Sequence, residues 1–163
     1  MCNNDSIHLK FMKKAFECAE QNSSLDFQEG GPFGAVVVQN ENIIGSGRNK
    51  VLVNHDPTAH AEIQAIRNAC INLGSHDLSG CIMYTSCFPC PMCLSAIMWA
   101  NISIVYYGNT RKDADKIGFR DDAFYIALNN IINNKPVKDF KLLQIGNELT
   151  IKTFEKFLNQ NRS

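Results

Sequence analysis

The chain has no excess of charge of either sign: its 163 residues hold 16 lysines and arginines against 16 aspartates and glutamates. A general binder of polyanions needs a positive field, so a neutral total argues against one unless a basic face is hidden within it. An apolar run long enough to cross a bilayer, about 20 residues, is also lacking. The longest candidate, Cys93 to Tyr107, is interrupted by Ser95, Asn101 and Ser103. Near the start, Lys10, Lys13, Lys14 and Glu17 break any signal-peptide core. The expected compartment is therefore the cytosol, where seven cysteines are metal ligands or buried apolar residues rather than disulfides. Internal repeats, low-complexity segments and linkers are missing too. With 45% apolar and 20% charged residues, residues 1–163 are expected to form one globular domain.

The patterning that is present predicts a layered α/β fold. Ser6 to Gln21 reads as an amphipathic helix, and Gly30-Gly31-Pro32 as a turn. Phe33 to Gln39 and Ile43 to Arg48 read as a hairpin joined at Asn40-Glu41-Asn42. Thr58 is the expected N-cap of a helix from Ala59 to Leu73, with Gly74 past its end. A strand at Cys81 to Thr85, a helix from Pro91 to Ala100 and a strand at Ile102 to Tyr107 follow. A helix at Asp121 to Asn134, a last strand at Phe140 to Ile145 and a terminal helix at Leu149 to Asn159 complete the order. The sum is a mixed, five-stranded central sheet with helices on both faces, in three layers.

Chemistry concentrates in His60-Ala61-Glu62 and Pro89-Cys90-Pro91-Met92-Cys93. Both segments fall at expected helix starts, where the partial positive charge of the helix favours thiolates. One imidazole and two thiolates suit zinc, and three protein ligands leave a fourth tetrahedral position for water, as a catalytic site requires. The expected metal centre is one zinc ion per chain held by His60, Cys90 and Cys93, with water as the fourth ligand. Glu62 lies two residues beyond the histidine, placed to carry the water's proton without binding the metal. A redox Cys-x-x-Cys pair and a structural zinc site using Cys87 as fourth ligand are the competing readings; neither accounts for Glu62. His55 is a possible substitute for His60, but it precedes Asp56-Pro57 and reads as a polar loop residue. Cys18, Cys70 and Cys81 read as core, and His8 as a surface residue.

These motifs resemble the cytidine deaminase-like superfamily of zinc hydrolases, whose members carry H-x-E and P-C-x-x-C. The likeness widens through Gly30-Gly31-Pro32-Phe33-Gly34-Ala35, Asp56-Pro57-Thr58-Ala59, Tyr84-Thr85-Ser86-Cys87, Cys93-Leu94-Ser95-Ala96-Ile97 and Ala114 to Asp122, which look like bacterial guanine deaminases. That resemblance implies a cytidine deaminase-like fold and a free purine base bound beside zinc. Phe33 would stack on the base and Asn49 would hydrogen-bond its edge, while Trp99 would help line the pocket. Main-chain N–H groups near Ala61 and Cys90 would donate to the base, and Asp121 would be a second proton carrier. It also implies a homodimer whose C-terminal segments, about 146–163, are exchanged between subunits. Two departures stand out: Phe88 replaces a usual Glu, and the final Asn161-Arg162-Ser163 holds no aromatic.

The activity expected is hydrolysis of guanine to xanthine and ammonia. Its rivals are a tRNA adenosine deaminase, a cytosine or nucleoside deaminase, and a zinc-binding structural module without activity. The cluster of Arg111, Lys112, Lys116 and Arg120 is broken by Asp113 and Asp115, and reads as a solvated face rather than an RNA-binding one.

Overall fold

The computed structural model describes residues 2–119, 121–133, 135–138 and 154. The chain falls into two compact units, Met1–Tyr125 and Ile126–Ser163. The first comprises α1 (Cys2–Ser23), β1 (Gly34–Gln39), β2 (Asn42–Arg48), α2 (Val51–Asn54), α3 (Ala61–Leu73), β3 (Ile82–Cys87), α4 (Pro91–Trp99), β4 (Ile104–Asn109) and α5 (Arg111–Lys116). It ends within α6 (Asp121–Ile132), whose remaining residues belong to the second unit.

The sheet is mixed, in the order β2-β1-β3-β4. β1 runs antiparallel to both β2 and β3, and β3 runs parallel to β4. The described residues thus supply four strands where five were expected. The fifth, at 140–145, lies outside the described residues, as does nearly all of the expected terminal helix at 149–159. Asn40 and Glu41, with φ of 48° and 62°, provide the paired positive φ values that a two-residue hairpin turn needs. α2 and α5 were not anticipated as helices. α2 is a single turn. α5 is fixed by a capping box between Thr110 and Asp113.

Alternation along the strands separates two cores. Val36, Val38 and Tyr84 pack with Phe11 and Ala15 of α1 on one face. Ala35, Val37 and Met83 pack with Ala61, Ala65 and Ala69 of α3 and Ile97 of α4 on the other. The layers are therefore helix, sheet, helix, as the period-two and period-3.6 patterns predicted. His8 is a correction: it is partly buried, with Nδ1 2.8 Å from the Tyr84 hydroxyl and its ring stacked on Tyr106 at 4.3 Å. No helix among the described residues is long and apolar enough to cross a membrane.

The start of α3 is a second correction. Its N-cap is His60 and not Thr58, because the Thr58 hydroxyl and N–H both donate to Asp56 Oδ1, at 2.7 and 2.8 Å. The asparagine-like turn so formed ends the loop two residues later than the composition suggested.

α3 lies close on the sheet because glycine faces alanine. A Cβ at Gly45 would run into the backbone of Ala65 and Ala69, and one at Gly47 into Ala61 and Ala65. Gly45→Ala is expected to destabilise the fold by about 1–3 kcal/mol through overpacking, read as a lower urea midpoint with an unchanged slope.

Candidate metal centre and active site

Two helices start side by side at the carboxyl end of β3. His60 is the N-cap of α3 and Cys90 the N-cap of α4, with near-identical extended angles (φ −67°, ψ 158° and φ −67°, ψ 168°). Side chains at such positions usually bind a first-turn N–H; neither of these does. They turn instead toward each other and toward Cys93. His60 Nδ1 lies 3.6 Å from Sγ of Cys90 and 3.6 Å from Sγ of Cys93. All three donor atoms fall within 4.8 Å of one another. Tetrahedral zinc, with bonds of about 2.3 Å to sulfur and about 2.0–2.1 Å to nitrogen, sets those donors roughly 3.5 Å apart. The donors as they stand fit zinc.

Cys87 is not one of them. Its buried thiol donates to the Thr110 carbonyl at 3.8 Å, and burial pushes its pKa up to about 11. A four-cysteine-and-histidine structural site is thereby excluded. His55 caps α2 in the left-handed conformation (φ 49°) and lies outside the donor cluster. Between the cysteines, the Cys93 thiol donates to Cys90 and, with His60, holds it as a thiolate with a pKa near 4 against the opposing effect of burial. Cys93 is pushed up by the same bond and by burial, and His60 is raised chiefly by its bond to Cys90. A proton-sharing trio of this kind releases protons as metal enters.

Glu62, in the first turn of α3, is only 6% exposed. Thr85 Oγ1 donates to its Oε1 at 2.8 Å, and the Cys93 thiol lies 3.4 Å from Oε2. Burial raises its pKa above the usual carboxylate range, so it is a carboxyl able to hold a proton. Asp121 opens α6, half-buried; burial and then the Cys90 charge raise its pKa, which marks it as facing the same centre.

The other expected residues divide. Phe33 and Asn49 come together: the Asn49 N–H donates to the Phe33 carbonyl at 3.0 Å, prolonging the β1–β2 ladder by one pair. Asn49 is buried, and its Oδ1 accepts from the Val51 N–H at 3.2 Å. The Phe33 ring meets Phe119 edge-on at 4.7 Å and forms part of the wall of a cavity of about 460 Å³ with Met12, Phe16 and Cys87. The metal donors are not in that wall. Ala61 is fully buried in the first turn of α3, where N–H groups have no intrahelical acceptor. Trp99 is a correction: it is 85% exposed at the end of α4, beside an exposed Met98, and within this chain it lines no pocket among the described residues.

Three polar residues of the site's support escaped the sequence reading. Thr85 had one available signal, since it shares the α3 side of β3 with Met83. Tyr125 donates its hydroxyl to the Pro89 carbonyl at 2.7 Å and so steadies the turn that carries Cys90. Asn22 is fully buried beneath Asn49. Phe88, in place of the usual Glu, packs edge-on against Tyr107 at 5.0 Å. Arg111 lies over both Phe88 and Tyr125, 5.6 and 4.7 Å from the ring centres.

A dry carboxyl beside a metal that leaves a place for water is the equipment of a metal-dependent hydrolase. Residues 5–109 match the family described as the cytidine and deoxycytidylate deaminase zinc-binding region, and the chain belongs to that family of zinc-dependent deaminases. His60, Cys90 and Cys93 hold its single zinc ion. Guanine deaminase of Bacillus subtilis is 39% identical over 155 residues, 94% of this chain and 97% of that one. A solved structure of guanine deaminase from Bacillus subtilis superposes with a TM-score of 0.81 at 40% identity, covering 93% of this chain and 94% of that one. A tRNA-specific adenosine deaminase of Aquifex aeolicus is 32% identical over 153 residues, 94% of this chain and 93% of that one.

Elemental analysis of purified variants separates ligand from neighbour. Cys93→Ala and His60→Ala are expected to drop from about one zinc per chain to a small fraction, while Cys87→Ala keeps its metal. Zinc loss in Cys87→Ala equal to that in Cys93→Ala is the contrary result.

Proposed function

We propose that this chain hydrolyses guanine to xanthine and ammonia. The observation that carries the reaction class is Glu62, a carboxyl 6% exposed and held by Thr85 against the donor cluster. The choice of guanine is supported by similarity to Bacillus subtilis guanine deaminase over nearly the whole of both chains. The same span supports reading residues 1–163 as one deaminase domain.

Zinc, when bound, lowers the pKa of a water from roughly 15.7 to about 7 and so supplies a nucleophile at neutral pH. Glu62 takes the water's proton and passes it to the ring nitrogen N3 as the oxygen adds at C2. C2 becomes tetrahedral. Glu62 then protonates the amino nitrogen, the C2–N bond breaks, and ammonia leaves with its electron pair. One carboxyl thus acts as base and then as acid, which its raised pKa favours. Asp121 is a second proton carrier on the same side. Asn49 hydrogen-bonds the base edge and the Phe33 ring stacks on it, with first-turn N–H groups at Ala61 and Cys90 as further donors.

The tRNA reading finds less support. Arg111 is paired with Asp122 at 3.2 Å and stacked on two aromatic rings, and Lys116 is bound to Asp113 at 3.0 Å. These charges are engaged within the chain rather than displayed to a polyanion. We also read the active form as a homodimer exchanging about residues 146–163. The large exposed side chains of Met98, Trp99 and Tyr107 support a covering partner. The cytosol is the compartment assigned, in keeping with free thiols at Cys18, Cys70, Cys81 and Cys87.

Ammonia release from guanine, adenine, cytosine, their nucleosides and tRNA tests the activity. Guanine is expected to give the highest kcat/KM, and Glu62→Ala to lower it by about 10²–10⁴-fold with zinc retained. Guanine turnover no faster than adenine or cytosine removes the substrate assignment, and full activity in Glu62→Ala removes the mechanism. Light scattering at micromolar concentration should return twice the chain mass; the mass of one chain ends the dimer reading.

A further inference from the structure

We infer that Asn22, in the last turn of α1, is a positioning residue for base binding: it fixes where Asn49 stands and thereby sets how tightly the base is held. The inference rests on the reading of Asn49 as the residue that meets the base edge.

Asn22 is fully buried, and its Nδ2 donates to two main-chain carbonyls at once, those of Gly31 and Asn49, each at 2.8 Å. Its own carbonyl accepts the N–H groups of Phe27 at 2.8 Å and Leu25 at 3.2 Å. One residue therefore ties together the end of α1, the turn leading to Phe33 and the strand end at Asn49. From the other side Asn49 is confined by Gly30, where a Cβ would fall on its Oδ1 and main-chain carbonyl. The next residue, Lys50, donates its N–H to the Ala59 carbonyl at 2.9 Å, one position before the ligand His60. Asn49 is thus held on both sides, and Asn22 is the only side-chain donor in that grip among the described hydrogen bonds.

The junction is chemically selective. Two carbonyls sharing one nitrogen need two diverging N–H bonds from a short planar amide. An aspartate there opposes its own oxygens to the carbonyls, and a leucine leaves both carbonyls without a donor. Stability alone does not explain the amide, because Asn22 Oδ1 is buried with no hydrogen-bond partner. A buried acceptor left unmatched is a liability that an apolar residue of the same shape avoids.

Steady-state kinetics on zinc-loaded Asn22→Leu and the near-isosteric Asn22→Asp test the role. The KM for guanine is expected to rise about 10-fold or more, with kcat and zinc per chain within about twofold of wild type, the signature of lost ground-state binding. In an Asn49→Ala background the same substitutions are expected to change KM by less than about threefold, because both act through one contact. An unchanged KM in either folded variant overturns the inference. So does an equal KM factor with and without Asn49, or failure of both variants to fold, which marks a purely structural residue. A wild-type protein that leaves guanine untouched overturns the substrate reading instead, and the KM comparison is then made on the base it does deaminate.

Discussion

The site depends on two helices beginning at the same end of one sheet. α3 and α4 lie on the same face, and their first residues converge where β3 ends. Each helix end carries unsatisfied N–H groups and a partial positive charge, worth about 0.3–1 kcal/mol to a nearby anion. A thiolate at Cys90 and a metal-activated water are the anions such a place favours. The usual occupant of an N-cap is a small hydrogen-bonding side chain that closes the helix upon itself. His60 and Cys90 occupy those positions without closing them, and so the helix ends stay open toward the centre between them.

Around that centre the work divides between helix starts and strand ends. The metal donors and Glu62 stand on helix starts, while Phe33, Asn49 and Thr85 stand on the ends of β1, β2 and β3. The two sets are joined by few bonds, each specific. Thr85 reaches Glu62 across the sheet–helix gap, Lys50 reaches Ala59, and Tyr125 reaches Pro89. Such outer contacts orient the groups that touch metal and substrate, and their loss is felt at the centre.

Much of this was legible in the sequence, for identifiable reasons. His60, Glu62, Cys90 and Cys93 were readable because ligand chemistry permits few spacings, and β1 and α3 because buried faces impose a period. The start of α3 was misread because Asp56 captures Thr58, a local competition that periodicity does not report. Trp99 was misplaced because an apolar side chain on an apolar helix gives no sign of which side faces water. Asn22 and Tyr125 were not found because a single polar residue acquires its meaning only from the carbonyl it meets, and that carbonyl comes from another part of the chain.

The close seating of α3 has a further consequence. Ala61, Ala65 and Ala69 form a ridge that drops between Gly45 and Gly47, like teeth between the bars of a rack. A helix packed through long side chains can slide by re-rotating them; one meshed backbone to backbone has no such slack. To slip by a single residue α3 would have to travel about 1.5 Å and turn by about 100°. That step would carry His60 away from both sulfurs it now meets at 3.6 Å. The smallest side chains in the domain therefore act as its ruler, setting the distance at which the largest chemical event takes place.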